Sequence, residues 1–157
     1  MAHKNIKAWS SAAHEAERLK IERFQARGNL QAAYDTAQKL LQKSLDEGED
    51  AYPGADYNIA YIYWLIGGII SSAGSSEQAF GFIEQAILRF GKLADAGNKY
   101  AEGMMSKSLT QKADCLTDLG RLDEAEETYK QGLKIQENLN DKRAIAVSKG
   151  QLGIVYI

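Results

Sequence analysis

Three glycines at equal spacing constrain this chain more than any other feature. Gly28, Gly74 and Gly120 stand 46 residues apart each time, and the same residue types recur around each of them in register. Ala33, Ala79 and Ala125 follow by five positions, Ala37, Ile83 and Tyr129 by nine, and Leu40, Ala86 and Gly132 by twelve. Ile21, Gly67 and Ala113 precede by seven, and Phe24, Ile70 and Leu116 by four. Leu152-Gly153 and Tyr156 begin a fourth copy. Self-similarity of this kind marks a stack of units that bury one another's apolar faces. Within a unit the spacing is that of two helices. Small residues on each let the backbones approach, and the large residue one turn away fills the space beside the contact. The central glycine supplies the left-handed residue that closes the first helix. Asn29 and Ser75 open the next, and Ser75 with Gln78 has the form of a capping box. Asp123 and Glu124 place negative charge in the first turn of the third such helix.

One proline against 14 glycines favours uninterrupted helices joined by glycine turns. The pattern predicts seven, over residues 4–27, 29–47, 54–73, 76–96, 98–119, 122–139 and 142–157. The connection over 46–56 holds Pro53 and an acidic cluster and is expected to be the most mobile link. A net charge of −2 leaves no basic footprint and argues against nucleic acid as a partner. Hydrophobic and charged fractions of 45% and 25% exclude wholesale disorder. The single cysteine, Cys115, excludes a disulfide framework and a cysteine-based zinc site, and fits a reducing compartment. The N-terminal stretch has no apolar core of signal-peptide length. Residues 58–76 carry no charge, but the strongly apolar part, Ile59 to Ile70, falls well short of the ~20 residues a membrane span needs. The run is expected to be a buried helix, with no membrane partner and a cytoplasmic location.

The stretch GRLDEAEETYKQGLKIQENLNDKRAIAVSKGQLGIVY, from Gly120, resembles a tetratricopeptide repeat followed by the first helix of another. The small–Gly–Ala–aromatic–small spacing of Ala113, Gly120, Ala125, Tyr129 and Gly132 is similar to that family's consensus. The middle copy is similar through Gly67, Gly74, Ala79, Ile83 and Ala86. The first copy departs from it, with Ile21 and Leu40 where small residues are usual. The spacing exceeds the usual length of about 34 residues and is similar to the longer variants of kinesin light chains and bacterial signalling proteins. The resemblance implies an all-α fold, a right-handed α-solenoid of antiparallel helix pairs with about three and a half repeats. It implies one domain over 1–157, with repeats at 13–47, 54–96 and 98–140 and a half repeat at 142–157. Solenoids normally finish with a polar capping helix. The unfinished half repeat is therefore read as a sign that the chain is a piece of a longer protein, or that 142–157 mediates self-association.

In this family the first helices of the pairs line a concave face that binds a peptide or a partner helix. Carried over by residue, the resemblance implies a groove built from Arg18, Glu22 and Gln25, with Glu15 beside them. Tyr61, Trp64 and Ser71 follow, with Gly68. Lys107, Thr110 and Asp114 come next, with Thr117, and then Val147, Gly150 and Ile154. Binding hot spots favour Trp, Tyr and Arg, which singles out Trp64, Tyr61 and Arg18. The competing reading is that Trp64 and Tyr61 are core of an apolar helix. One subtype clamps a C-terminal carboxylate. The matching positions here hold Arg18, Glu22, Leu65, Lys107 and Gln111, which lack its asparagines and add a repelling Glu22. The implied function is a non-enzymatic protein–protein interaction scaffold without a cofactor. The alternative is a peptide-sensing regulatory domain of a bacterial signalling protein.

The remaining signals point to no chemistry. His14-Glu15 has half of a zinc-protease helix motif, but the second histidine is missing, so His14 is expected at the surface or in the groove. Cys115 is expected to be a buried, inert thiol. Asp114 and Asp118 share a helix face with no nucleophile, metal-ligand set or oxyanion donor beside them, and are read as a solvated or partner-facing acidic patch rather than an acid–base pair. Glu126 and Lys130 form an i, i+4 ion pair.

Overall fold

The computed structural model describes residues 9–155, without the side chains of Ala144 and Val155. Among these residues are seven helices and no strand. They are α1 (Ser11–Ala26), α2 (Leu30–Glu47), α3 (Ala55–Ser72), α4 (Ser76–Asp95), α5 (Lys99–Asp118), α6 (Leu122–Asn138) and α7 (Lys142–Val155). Each helix packs against the next in sequence, and α3 also touches α1 and α5. The result is an all-α solenoid with the odd helices in one layer and the even helices in the other.

One chain reversal is used five times. After α1, α3, α4 and α5 a glycine takes the left-handed conformation (Gly28, Gly74, Gly97 and Gly120), and after α6 Asn140 does so at φ 55°. The residue that follows donates its amide to the carbonyl five residues back: Asn29 to Phe24, Ser75 to Ile70, Asn98 to Leu93, Arg121 to Leu116 and Asp141 to Gln136. This closes carbonyls that a helix end would otherwise leave open. The repeat pattern located three of these turns. Gly97 and Asn140, between units, do the same work.

Several local expectations are corrected. Helix α1 starts at Ser11 rather than residue 4, because the Ser10 hydroxyl accepts the Ala13 amide at 3.2 Å and caps it; residues 4–8 of that expectation lie outside the described residues. Ser75 sits at the N-cap of α4 but makes no side-chain cap, so the capping box is not formed. Asn29 and Asn98 do cap, each accepting from the amide three residues on at 3.1 Å. The connection around Pro53 makes contacts with α4, with α3 and with Trp9. Arg89 donates to Glu49 at 2.7 Å, Asn58 donates to the Tyr52 hydroxyl at 2.9 Å, and Trp9 packs on Tyr52.

The charge-free run is the buried helix α3, with Ile59, Ile62, Ile66 and Ile69 at most 1% exposed. Neighbours on both sides leave it no polar face. Several small residues of the repeat sit at close approaches, as their spacing required, and Gly153 does not. A methyl group on Gly67 would lie 2.7 Å from Ile83 Cγ1 of α4. Ala33, Ala79, Ala113 and Ala125 are wholly buried.

Candidate interaction face on the odd-numbered helices

The α1–α3 contact brings together the predicted trio. The Arg18 guanidinium lies 5.5 Å from the centre of the Tyr61 ring. It is held there by ion pairs to Glu22 at 2.8 Å and Glu15 at 3.5 Å. The Tyr61 and Trp64 rings pack 5.4 Å apart. Both are half-buried and rest on the core below, so each is partly packing and partly surface. Burial, then the nearby Glu22 carboxylate, pushes the Tyr61 hydroxyl above its ordinary pKa, with Arg18 opposing. Gln25 lies one turn beyond Glu22, half-buried, with no side-chain hydrogen bond among the described residues.

The α3–α5 contact is built on glycine. Gln111 lies against Gly67 and Gly68, where a methyl group on Gly68 would meet its Nε2 at 3.2 Å, and donates to the Trp64 carbonyl at 3.4 Å. Ser71 and Cys115 touch at 3.4 Å. Cys115 is 2% exposed, the buried thiol that was expected. Lys107 is exposed. Thr110 turns its hydroxyl back to the Ser106 carbonyl at 3.2 Å. Both line a cleft of about 400 Å³ with Gln136, Arg143 and Val147.

Asp114 departs from expectation. It accepts hydrogen bonds from the Tyr129 hydroxyl of α6 and from Gln151 Nε2 of α7, the latter at 3.1 Å. Burial raises its pKa against the pull of those donors, and Asp118 adds to the rise. Asp118 accepts from the Ser76 hydroxyl at 3.0 Å. Asp114 is thus tied to two other helices, while Asp118 is exposed, and both line one open cleft with Thr117 and Ile154. His14 is also corrected: it is 1% exposed, edge-on to Trp9, and its pKa is lowered to about 4 by burial and then by Arg18. Glu126 and Lys130 pair at 2.7 Å as their spacing required.

Of the residues carried onto α7, Val147 and Ile154 are more than half exposed, and Gly150 is also exposed. Gln136, Ser148 and Gln151 were not singled out from the sequence. Polar residues in an amphipathic pattern read as solvated, and only packing across a turn turns them inward. Among the described residues no three His, Cys, Asp or Glu side chains gather as a metal-ligand group. No helix among them is long and apolar enough to cross a membrane.

Residues 106–139 match the sequence model of the tetratricopeptide repeat. That window is one tetratricopeptide repeat. The matched window runs from the middle of α5 through the Gly120 turn to the end of α6, the unit where the small–Gly–Ala–aromatic–small spacing is best kept. The crystal structure of PcrH from Pseudomonas aeruginosa is similar to this chain with a TM-score of 0.68. The likeness covers 98% of this chain and 99% of that one at 17% identity, and speaks to the fold. No curated protein matches the chain in sequence. These matches do not distinguish a long-period subtype within the family.

Proposed function

We propose that this chain is a non-enzymatic interaction scaffold that holds a peptide or partner helix along the face of α1, α3, α5 and α7. One observation carries the reading: the α1–α3 contact presents Arg18, Tyr61 and Trp64 as a locked, half-exposed cluster on rigid helices. Rigid aromatics beside an ion-paired arginine lose little conformational entropy on binding, which is why such residues dominate interface energetics. Ser71, Lys107, Thr110 and Asp114 extend the same face towards α7.

The test is selection of short displayed peptides on the full chain, followed by amide shift mapping of a selected peptide. The expected shifts cluster at Arg18–Gln25, Tyr61–Ser71 and Lys107–Asp114. Trp64→Ala with Tyr61→Ala should weaken binding by tenfold or more while helicity is kept, given hot-spot costs of about 2 kcal/mol and above. Shifts concentrated on exposed even-helix residues such as Lys39, Leu88 and Glu127 would instead place the site on the opposite layer.

A further inference from the structure

Elsewhere on the odd-numbered helices Arg18 closes on Glu22 and Lys112 on Glu84, and the buried Ser148 hydroxyl of α7 donates to Gln136 Oε1 at 2.8 Å. One cleft differs. It has a volume of about 300 Å³, lies where α5, α6 and α7 meet, and is lined by Asp114, Thr117, Asp118, Tyr129, Gln151 and Ile154. Its donors are already spent. The Tyr129 hydroxyl and Gln151 Nε2 both serve Asp114 Oδ1, and the Thr117 hydroxyl serves the Ala113 carbonyl at 2.9 Å. What remains open accepts. Asp114 Oδ2 and Asp118 Oδ1 take no hydrogen bond from a described residue, and neither carboxylate is in an ion pair among the described residues.

A second, independent feature is Gln151. Its Oε1 is buried and has no hydrogen-bond partner among the described residues. The Nε2 bond to Asp114 keeps the amide from turning over. A buried acceptor left open costs free energy until a donor arrives. The helix adds to the imbalance. Asp118 is the final residue of α5 and Asp114 stands one turn before it, so two like charges sit at the end where the backbone dipole favours cations, and that last turn holds no basic residue. Burial raises the Asp114 pKa and Asp118 adds to the rise, as a like charge without a counterion does.

We infer that this cleft seats a basic side chain of the ligand, an arginine or lysine whose N–H groups bridge Asp114 and Asp118 and reach Gln151 Oε1. A guanidinium or ammonium offers several donors and no acceptor, the complement of a cleft whose open polar atoms all accept. Ile154, 63% exposed at the rim, gives the alkyl stem an apolar surface. No third carboxylate, histidine or cysteine joins the two aspartates among the described residues, so the set suits an organic cation rather than a metal ion. The sign is opposite to that of a carboxylate clamp. This assignment rests on the groove reading above and names the charge of the ligand residue at the C-terminal end of α5.

The test is selection of short random displayed peptides on the full chain, followed by a double-mutant cycle on one selected peptide. The chain is wild type, Asp118→Asn or Asp114→Asn, and circular dichroism checks that helicity is kept; each asparagine still offers an oxygen to the donors already there. The peptide carries its basic residue or a glutamine in its place. Wild type should enrich peptides with Lys or Arg. Replacing that residue should weaken binding to wild type roughly tenfold and to either variant by about threefold or less, because the charge pair is already broken there. Binding of the basic peptide to wild type should fall with added salt. Equal losses on wild type and variants would overturn the subsite. Peptides selected without basic bias, with amide shifts at Tyr61 and Trp64 but none at Asp114, Asp118 or Gln151, would overturn it and leave the groove reading standing. Failure to select any peptide would overturn both. Displacement of the peptide by calcium at the peptide's own concentration would overturn the side-chain assignment alone.

Discussion

A half-buried carboxylate needs donors, and Asp114 finds them on two other helices. Tyr129 and Gln151 both donate to it, so three helices meet at one side chain. Burial and the adjacent carboxylate push the Tyr129 hydroxyl well above its ordinary pKa, so it remains a donor at neutral pH. Tyr129→Phe should destabilise the fold by about 1–2 kcal/mol in urea unfolding, because it removes one donor from a desolvated charge. Asp114→Asn should stay within about 1 kcal/mol of wild type, since a neutral amide oxygen still accepts and the burial penalty on the charge is gone. Equal losses in the two variants would show that the carboxylate's charge does not matter there. His14 makes the second residue-scale prediction. Its folded pKa of about 4 lies below the ordinary 6.5 of a histidine, so the unfolded chain takes up the proton first. Stability from this site is complete above pH 6.5 and lost as pH falls towards 4, by on the order of 3 kcal/mol. Urea midpoints of wild type and His14→Gln between pH 7 and 4 should diverge, wild type falling further; parallel curves would contradict the assignment. The sequence places His14 at the surface or in the groove because a lone histidine in an amphipathic helix carries no label of depth.

At the scale of helices, the repeat's small residues divide into those that are covered and those that are not. A methyl group on Gly67 would lie 2.7 Å from Ile83, while one on Gly153, in the same row of the repeat, meets nothing within 4 Å. Gly67→Ala should cost about 1–3 kcal/mol by forcing α3 and α4 apart. Gly153→Ala should be neutral or stabilising by up to about 1 kcal/mol, because alanine is the better helix former in open space. Thermal melts of the two variants check both; a loss at Gly153 comparable to that at Gly67 would mean that α7 is covered on that face in solution. Most of the helices were legible because five of them are followed by a left-handed residue, and in four of these glycine announces it in the sequence. Asn140, which can also take that conformation, does not.

Across the whole molecule, contacts run from each helix to its neighbour, so stability should be graded rather than uniform. Helix α3 is sandwiched between α2 and α4 and also touches α1 and α5, whereas α7 rests chiefly on α6. Native-state hydrogen exchange should therefore find the slowest amides in α3 and α4 and the fastest in α7. Uniform protection from α1 to α7 would indicate a single cooperative block instead.

The repeat period, the small–large alternation and the glycine turns were enough to determine helix number, order and pairing. Each is a local or near-neighbour constraint, and each leaves its mark on residue type. The alanines and glycines of the close approaches could be named in advance because no other residues fit there. What the tertiary structure alone decided is where the polar side chains go. Arg18 over Tyr61, Gln111 on Gly67-Gly68, Asp114 between Tyr129 and Gln151, and Gln136 with Ser148 each join positions separated by one or more turns. A polar residue in an amphipathic pattern looks the same whether it faces water, a neighbouring helix or a ligand. The choice among them is made by the distance and angle between packed helices, which exist only once the chain has folded.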